Sequence, residues 1–179
     1  LWPLPGLRAQ MPAWPARPVR MIVPYPAGGA TDVVSRAVAA RLADLWGQSV
    51  VVENRSGASG TIGNDAVAKA TPDGYTLLMA IAALIQQPPL MKLPYDPLRD
   101  LAPVTQVVLS GNLFCVGAAT PANTLAEFVA LAKANPGKFS YGTFGAGSSS
   151  HIQGALFNLQ AGLDLAHIPY KGSAPLIND

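Results

Sequence analysis

Two segments combine glycine, small hydroxyls and a titratable side chain in a pattern suited to holding an anion: Pro24-Tyr25-Pro26-Ala27-Gly28-Gly29-Ala30-Thr31-Asp32 and Gly142-Thr143-Phe144-Gly145-Ala146-Gly147-Ser148-Ser149-Ser150-His151. Each follows an apolar β-branched or aromatic run and precedes an amphipathic helical pattern. Free backbone N–H groups and the positive end of a helix macrodipole converge where such a loop meets its helix. Both loops are therefore read as anion cradles, and function is expected between them.

Other chemistries fit these loops poorly. Gly142 to Ser149 has the glycine spacing of a phosphate-binding loop, but Ser148 stands where that motif requires lysine. Gly57, Gly60 and Gly63 miss the dinucleotide fingerprint and follow the second strand, not the first. A nucleophile elbow needs G-x-S-x-G, and the run from Gly147 places His151 where the last glycine belongs. His151, in the first turn of a helix, is suited either to donating to a bound carboxylate or to capping the helix and packing. His167 reads as a structural neighbour, Arg55 as a solvated partner of Glu53, and Asp32 most simply as a helix cap. Lys171, just beyond the last strand, sits at a carboxyl end where open α/β sheets place ligands. The two histidines have no carboxylates at a spacing that makes a metal triad or an acid–base couple. No cofactor is expected.

The 179 residues allow one good core or two small ones, and only 12% are charged. Ordinary soluble domains carry roughly 25%. Net charge is +2, and no Lys/Arg cluster interleaves with aromatics, so nucleic acid is not an expected partner. No apolar run approaches the ~20 residues of a membrane span. Cys115 lies alone in an apolar stretch and reads as a buried small hydrophobe. Residues 1–16 look like the tail of a secretory signal plus a linker, which favours export.

The elements that must position the loops follow from periodicity. Val19 to Tyr25 reads as a buried strand, and Thr31 to Gly47 as a helix with Val34, Val38, Leu42 and Leu45 on its apolar face. Ser49 to Asn54 is a second strand, Thr61 to Ala70 a short helix, and Tyr75 to Ala80 a third strand. This β-α-β-α-β order implies a parallel sheet. Gln86 to Pro103 reads as a surface excursion, and Val104 to Leu109 and Leu113 to Gly117 as two strands crossing into a second lobe. Thr124 to Glu127 is a capping box opening a helix. Phe139 to Thr143 is a strand, Ser148 to Ala161 a helix with Ile152, Leu156 and Leu159 in line, and Leu165 to Tyr170 a last strand, followed by a helix barely begun.

With these motifs in order, the sequence resembles the periplasmic substrate-binding receptors of tripartite tricarboxylate transporters, the Bug family. The resemblance rests on Tyr25 to Asp32, Val51-Val52-Glu53-Asn54-Arg55, Asp65 to Ala70, Pro72 to Leu78, Leu93 to Pro97, Ala132 to Lys138, Gly147 to His151 and Pro169-Tyr170-Lys171-Gly172. It implies an α/β, type II periplasmic-binding-protein-like fold with two lobes of mixed sheets, 17–103 and 104–179, the second incomplete. It implies a non-enzymatic, monomeric periplasmic receptor that takes a small carboxylate and passes it to the membrane subunits of the transporter. A solute sensor for a signalling partner, and a small-molecule hydrolase, are the alternatives. By position, the resemblance gives Tyr25, Ala27, Gly28, Gly29, Thr31 and Asp32 in a first pincer and Gly145, Gly147, Ser148, Ser149, Ser150 and His151 in a second; Lys171 joins them as a ligand contact from its place at a strand end. The family's polar run after the third strand is replaced here by Ile81-Ala82-Ala83-Leu84-Ile85-Gln86-Gln87, which implies an apolar wall at the ligand's distal end. The family's chains also continue well past Gly172.

Overall fold

A computed structural model describes residues 14–179 of the chain. Most of the leader expected over 1–16 therefore lies outside the described residues. Trp14 packs edge-on to Trp46 at 5.0 Å and lies 6.0 Å from Tyr75, while Arg17 pairs with Asp73 at 2.9 Å.

Strand β1 (Val19–Val23) is almost wholly apolar, and Val19, Met21, Ile22 and Val23 are all buried. A near-continuous apolar run of this kind suits an inner strand of a parallel sheet covered on both faces. Helix α1 (Ala30–Trp46) leads to β2 (Val50–Asn54), and α2 (Thr61–Ala68) leads to β3 (Thr76–Leu78). Both β2 and β3 pair parallel with β1, giving the order β2-β1-β3. The expected β-α-β-α-β unit is thus present. With β1 central, successive connections leave toward opposite edges, and the crevice such a reversal opens lies at the strands' carboxyl ends. That is where the 24–29 loop emerges.

The second sheet pairs β4 (Ser140–Thr143) parallel with β5 (Ala166–Pro169). All pairings among the described residues are parallel; the antiparallel strand of a mixed sheet is not among them. Helix α4 (Leu125–Ala134) and α5 (Ser149–Ala161) accompany this sheet, and α6 (Ser173–Asn178) follows it. Phe128, Ala132 and Leu165 form its buried centre, with Phe139, Tyr141 and Phe157 packed against them. Half of the capping box forms as expected: Glu127 N–H donates to Thr124 Oγ1 at 3.2 Å, while the Glu127 carboxylate accepts from Asn123 N–H, one residue before the cap, at 2.7 Å.

Several expectations are corrected. The inner face of α1 is Asp32, Ser35 and Ala39, while Leu45 is 64% exposed. Small residues let the helix approach the sheet, and Asp32 draws that face inward through its polar partners. Leu156 and Leu159 of α5 are exposed, since nothing described covers that side of the helix. Residues 104–109 and 113–117 form no strand and are exposed throughout. β propensity expresses packing against a paired neighbour, and neither sheet pairs with this stretch. Cys115 is exposed with it. A short helix α3 (Ala83–Gln86) leads into the surface excursion, which holds two buried residues, Gln87 and Tyr95, the latter accepting from Asn64 Nδ2 at 3.0 Å. No helix among the described residues is long and apolar enough to cross a membrane.

Ile22 is 1% exposed at the centre of the first sheet, immediately before the loop. Ile22→Ala is expected to cost about 2–5 kcal/mol and Ile22→Val about 0.5–1.5 kcal/mol, read as shifts of the urea midpoint at constant slope.

Candidate functional site

The 24–29 loop is shaped by glycine and held by one carboxylate. Gly28 has φ +80°, where a side chain is strained although no atom stands within 4 Å of the added carbon. Gly29 is the N-cap of α1 and offers no side-chain oxygen, so the first N–H groups of the helix are left to other acceptors. Asp32 is buried and accepts from Gly28 N–H and Arg36 Nε at Oδ2, both at 2.9 Å, and from Asn54 Nδ2 at Oδ1, also 2.9 Å. Asn54 Nδ2 also reaches Tyr25 O at 3.1 Å, and its Oδ1 accepts from Arg36 at 3.0 Å. Neither oxygen of Asp32 faces the cleft unpartnered. The structure thus places this expected ligand residue inside the loop's own scaffold. Hydrogen bonding from Arg36 is the largest influence on the carboxyl; Gly28 and Asn54 add to it, burial opposes it, and its pKa falls to about 2.

The second loop is bound up differently, with neutral groups. Ser148 caps α5, accepting from His151 N–H at 3.3 Å while its hydroxyl donates to Gly145 O at 2.7 Å. Ser150 Oγ accepts from Phe144 N–H at 3.1 Å and lies 3.0 Å from Ser148 Oγ. His151 Nδ1 accepts from Gly147 N–H at 3.1 Å. No imidazole nitrogen lies on either serine hydroxyl, so the pairing a serine nucleophile needs is not made by these groups. The His151 ring is thus tied through Nδ1 to the loop that precedes its helix.

The carboxyl ends of the two sheets face one another. A carbon added at Gly29 would stand 3.1 Å from Ser173 Oγ, and one at Gly172 would stand 3.0 Å from Pro26. One at Gly145 would stand 3.0 Å from Ser59 Oγ. Ser59 Oγ also donates to Ala146 O. Gln87, wholly buried, donates through Nε2 to Ser59 O at 3.0 Å and to Gly147 O at 3.4 Å, one acceptor from each half. Tyr25 lies beside Ser59, its hydroxyl 3.5 Å from Ser59 O, and burial raises its pKa far above the usual phenol value, so it remains a neutral donor. Ala27 and Lys171 are exposed, and Thr31 and Ser149 are half-buried at the starts of α1 and α5. Arg55 pairs with Glu53 at 2.5 Å. A cavity of about 500 Å³ lined by Ile85, Met91, Tyr95 and Leu98 includes no residue of either loop.

Ser59, Gln87, Asn54, Arg36 and Ser173 complete this arrangement and were not read from the sequence as site residues. Apart from the Arg36–Asp32 pair, four residues apart, their hydrogen-bond partners lie 18 to 87 residues away, and Ser173 lies across the cleft. One signal was available: Asn54 ends a strand beside the first loop, where its half-buried amide finds partners. Positive φ at the non-glycine residues Ala58 and Ser59 marks the same turn in the structure but has no sequence signature.

Residues 34–179 match the family described as the tripartite tricarboxylate transporter family receptor. The protein BugT of Bordetella pertussis is 43% identical over 182 residues, covering 97% of this chain and 55% of that protein. The solved structure of a Rhodopseudomonas palustris protein with adipate superposes with a TM-score of 0.89 at 38% identity, over 93% of this chain and 56% of that one. That of a periplasmic transporter gives 0.82 at 39% identity, over 93% and 57%. The chain spans about half the length of the curated relatives it matches.

Stability should report the Asp32 network directly. The carboxyl is held at about 2 against an ordinary 3.8, so its contribution is complete above about pH 4 and is lost as pH falls toward 2. The shift corresponds to about 2 kcal/mol. Asp32→Asn is expected to lose about that much at pH 7 and to match the parent at pH 2, as measured by urea denaturation at each pH.

Proposed function

We propose, from the premise that this chain belongs to the tripartite tricarboxylate transporter family of receptors, that it forms part of a periplasmic solute receptor. Its two lobes, 17–103 and 104–179, hold a small carboxylate between their glycine loops and present it to the membrane subunits of a transporter. The receptor is monomeric and performs no catalysis. One observation carries this reading: two glycine loops, each leading into a helix N-terminus, emerge from the carboxyl ends of two parallel sheets and meet across one cleft. Backbone N–H groups at two helix starts suit a carboxylate. Tyr25, Ala27, Gly28, Gly29 and Thr31 act from one side, and Gly145, Gly147, Ser148, Ser149, Ser150 and His151 from the other, with Lys171 supplying a positive charge at the rim. Asp32 acts through the loop it holds.

The ligand class follows from what surrounds the cradles. Asp32 keeps a negative charge at the start of α1, so a ligand with several carboxylates meets repulsion there that Arg36 only partly offsets. Ile81 to Ile85 offer hydrocarbon in place of polar groups. A mono- or dicarboxylate with an apolar middle fits better than citrate, and the relative solved with adipate is consistent with that chemistry.

Adipate titrated into the chain is expected to move the Gly28 and Gly147 amide resonances saturably, with citrate weaker. Gly28→Val is expected to abolish the response through its φ of +80°. Thr31→Ala should weaken it by about 0.5–1.5 kcal/mol. A folded Gly28→Val chain that responds to adipate like the parent would place the cradle elsewhere.

A further inference from the structure

His151, in the first turn of α5, and His167, in β5, stack face to face with ring centroids 3.9 Å apart and planes 12° from parallel. Tyr141 of β4 stacks on His167 at 5.1 Å. Each imidazole is tied to the second glycine loop by one nitrogen. His151 Nδ1 accepts Gly147 N–H at 3.1 Å. His167 Nε2 lies 2.6 Å from Thr143 Oγ1, a hydroxyl that also accepts Gly145 N–H at 3.3 Å and lies 3.4 Å from Gly145 O.

These ties respond unequally to a proton. A ring nitrogen that accepts an N–H is itself unprotonated, so His151 carries its proton on Nε2 while the bond to Gly147 lasts. Protonating Nδ1 would set two N–H groups against each other, and the bond must break. Thr143 has a hydroxyl that both donates and accepts. It can turn to accept from a protonated His167 Nε2 and donate to Gly145 O, leaving the loop intact. Two imidazolium rings at this separation repel, so the stack favours at most one charge.

We propose that the His151–His167 stack is an acid-operated latch on the second glycine loop: neutral rings hold Gly147 N–H and the loop's shape, and proton uptake by His151 releases it. Tyr141 is the other titratable group packed on the stack, and burial raises its pKa, so it stays neutral. Among the described residues, no carboxylate, lysine or arginine bonds to either ring. Burial, then the neighbouring His151, lowers the pKa of His167. Under the proposed function, release changes the loop that would hold the carboxylate.

The test follows the Gly147 amide and the four ring nitrogens of the 179-residue chain by nitrogen NMR while pH falls from 8 to 5. At pH 8, His151 is expected as the Nε2–H tautomer, and the Gly147 amide should then move in step with its titration. His151→Asn puts a non-titrating Oδ1 where Nδ1 stood, and the Gly147 step should vanish. His167→Phe keeps a stacked ring without the second imidazole, and the Gly147 step should remain. A protonated Nδ1 at pH 8 in the unaltered chain overturns the latch without reference to any variant. So does a Gly147 amide that stays still while His151 titrates, or a step that survives His151→Asn. No ligand is present, so a loop that titrates in a chain indifferent to adipate would leave the latch standing and remove only the receptor reading.

Discussion

The Asp32 carboxylate gathers three elements at one point: the loop through Gly28 N–H, the helix through Arg36, and the end of β2 through Asn54. Asn54 then carries the tie back to Tyr25 O. Because Val23 pairs with Asn54 across the ladder, the strand register fixes where the amide sits, and the amide fixes the carboxylate. A one-residue slip of β2 would turn Asn54 to the other face of the sheet, leaving a buried charge with fewer partners. Register, helix position and loop shape are thereby one constraint. It also sets a limit on function, since the same negative charge stands at the helix end where an anion would be drawn.

The second loop solves the same geometric problem without a formal charge. Ser148, Ser150, Thr143 and His151 satisfy its backbone through neutral bonds, so the helix dipole of α5 is opposed by no carboxylate in its first turn. The first is held by a carboxyl that titrates far below neutrality, the second by hydroxyls and a ring nitrogen. The start of α5 therefore keeps more of its positive end than the start of α1, where Asp32 stands.

The parts of this arrangement legible in the sequence are those governed by local rules. Glycine at Gly28, Gly47 and Gly147 adopts positive φ, and the apolar run of β1, the capping box at Thr124 and the strand–loop–helix order all follow from nearest neighbours along the chain. What was not legible depends on contacts across the fold. Asp32 reads locally as a cap, yet its burial is decided by Asn54, 22 residues on. Leu45 fits an apolar helix face, but the sheet is met by Ser35 and Ala39 instead. The stretch from Val104 to Leu109 has the composition of a strand and no ladder to join. Propensity describes a surface suited to pairing, and pairing itself is tertiary.

Main-chain recognition has a consequence for selectivity. N–H groups at a helix start bind a carboxylate whatever it is attached to, and substitutions that spare the glycines leave that part of the interaction intact. Discrimination then rests on residues that face the rest of the ligand. Gln87 joins the two halves under the tightest constraint: it is wholly buried, both its donor hydrogens point at main-chain carbonyls from opposite halves, and its Oε1 has no partner among the described residues. A buried amide oxygen in that state favours a donor brought to it, while the neighbouring Ala83 and Leu84 offer none. A donor that reached this oxygen would be tied to both halves at once, because the same amide already bonds Ser59 O and Gly147 O.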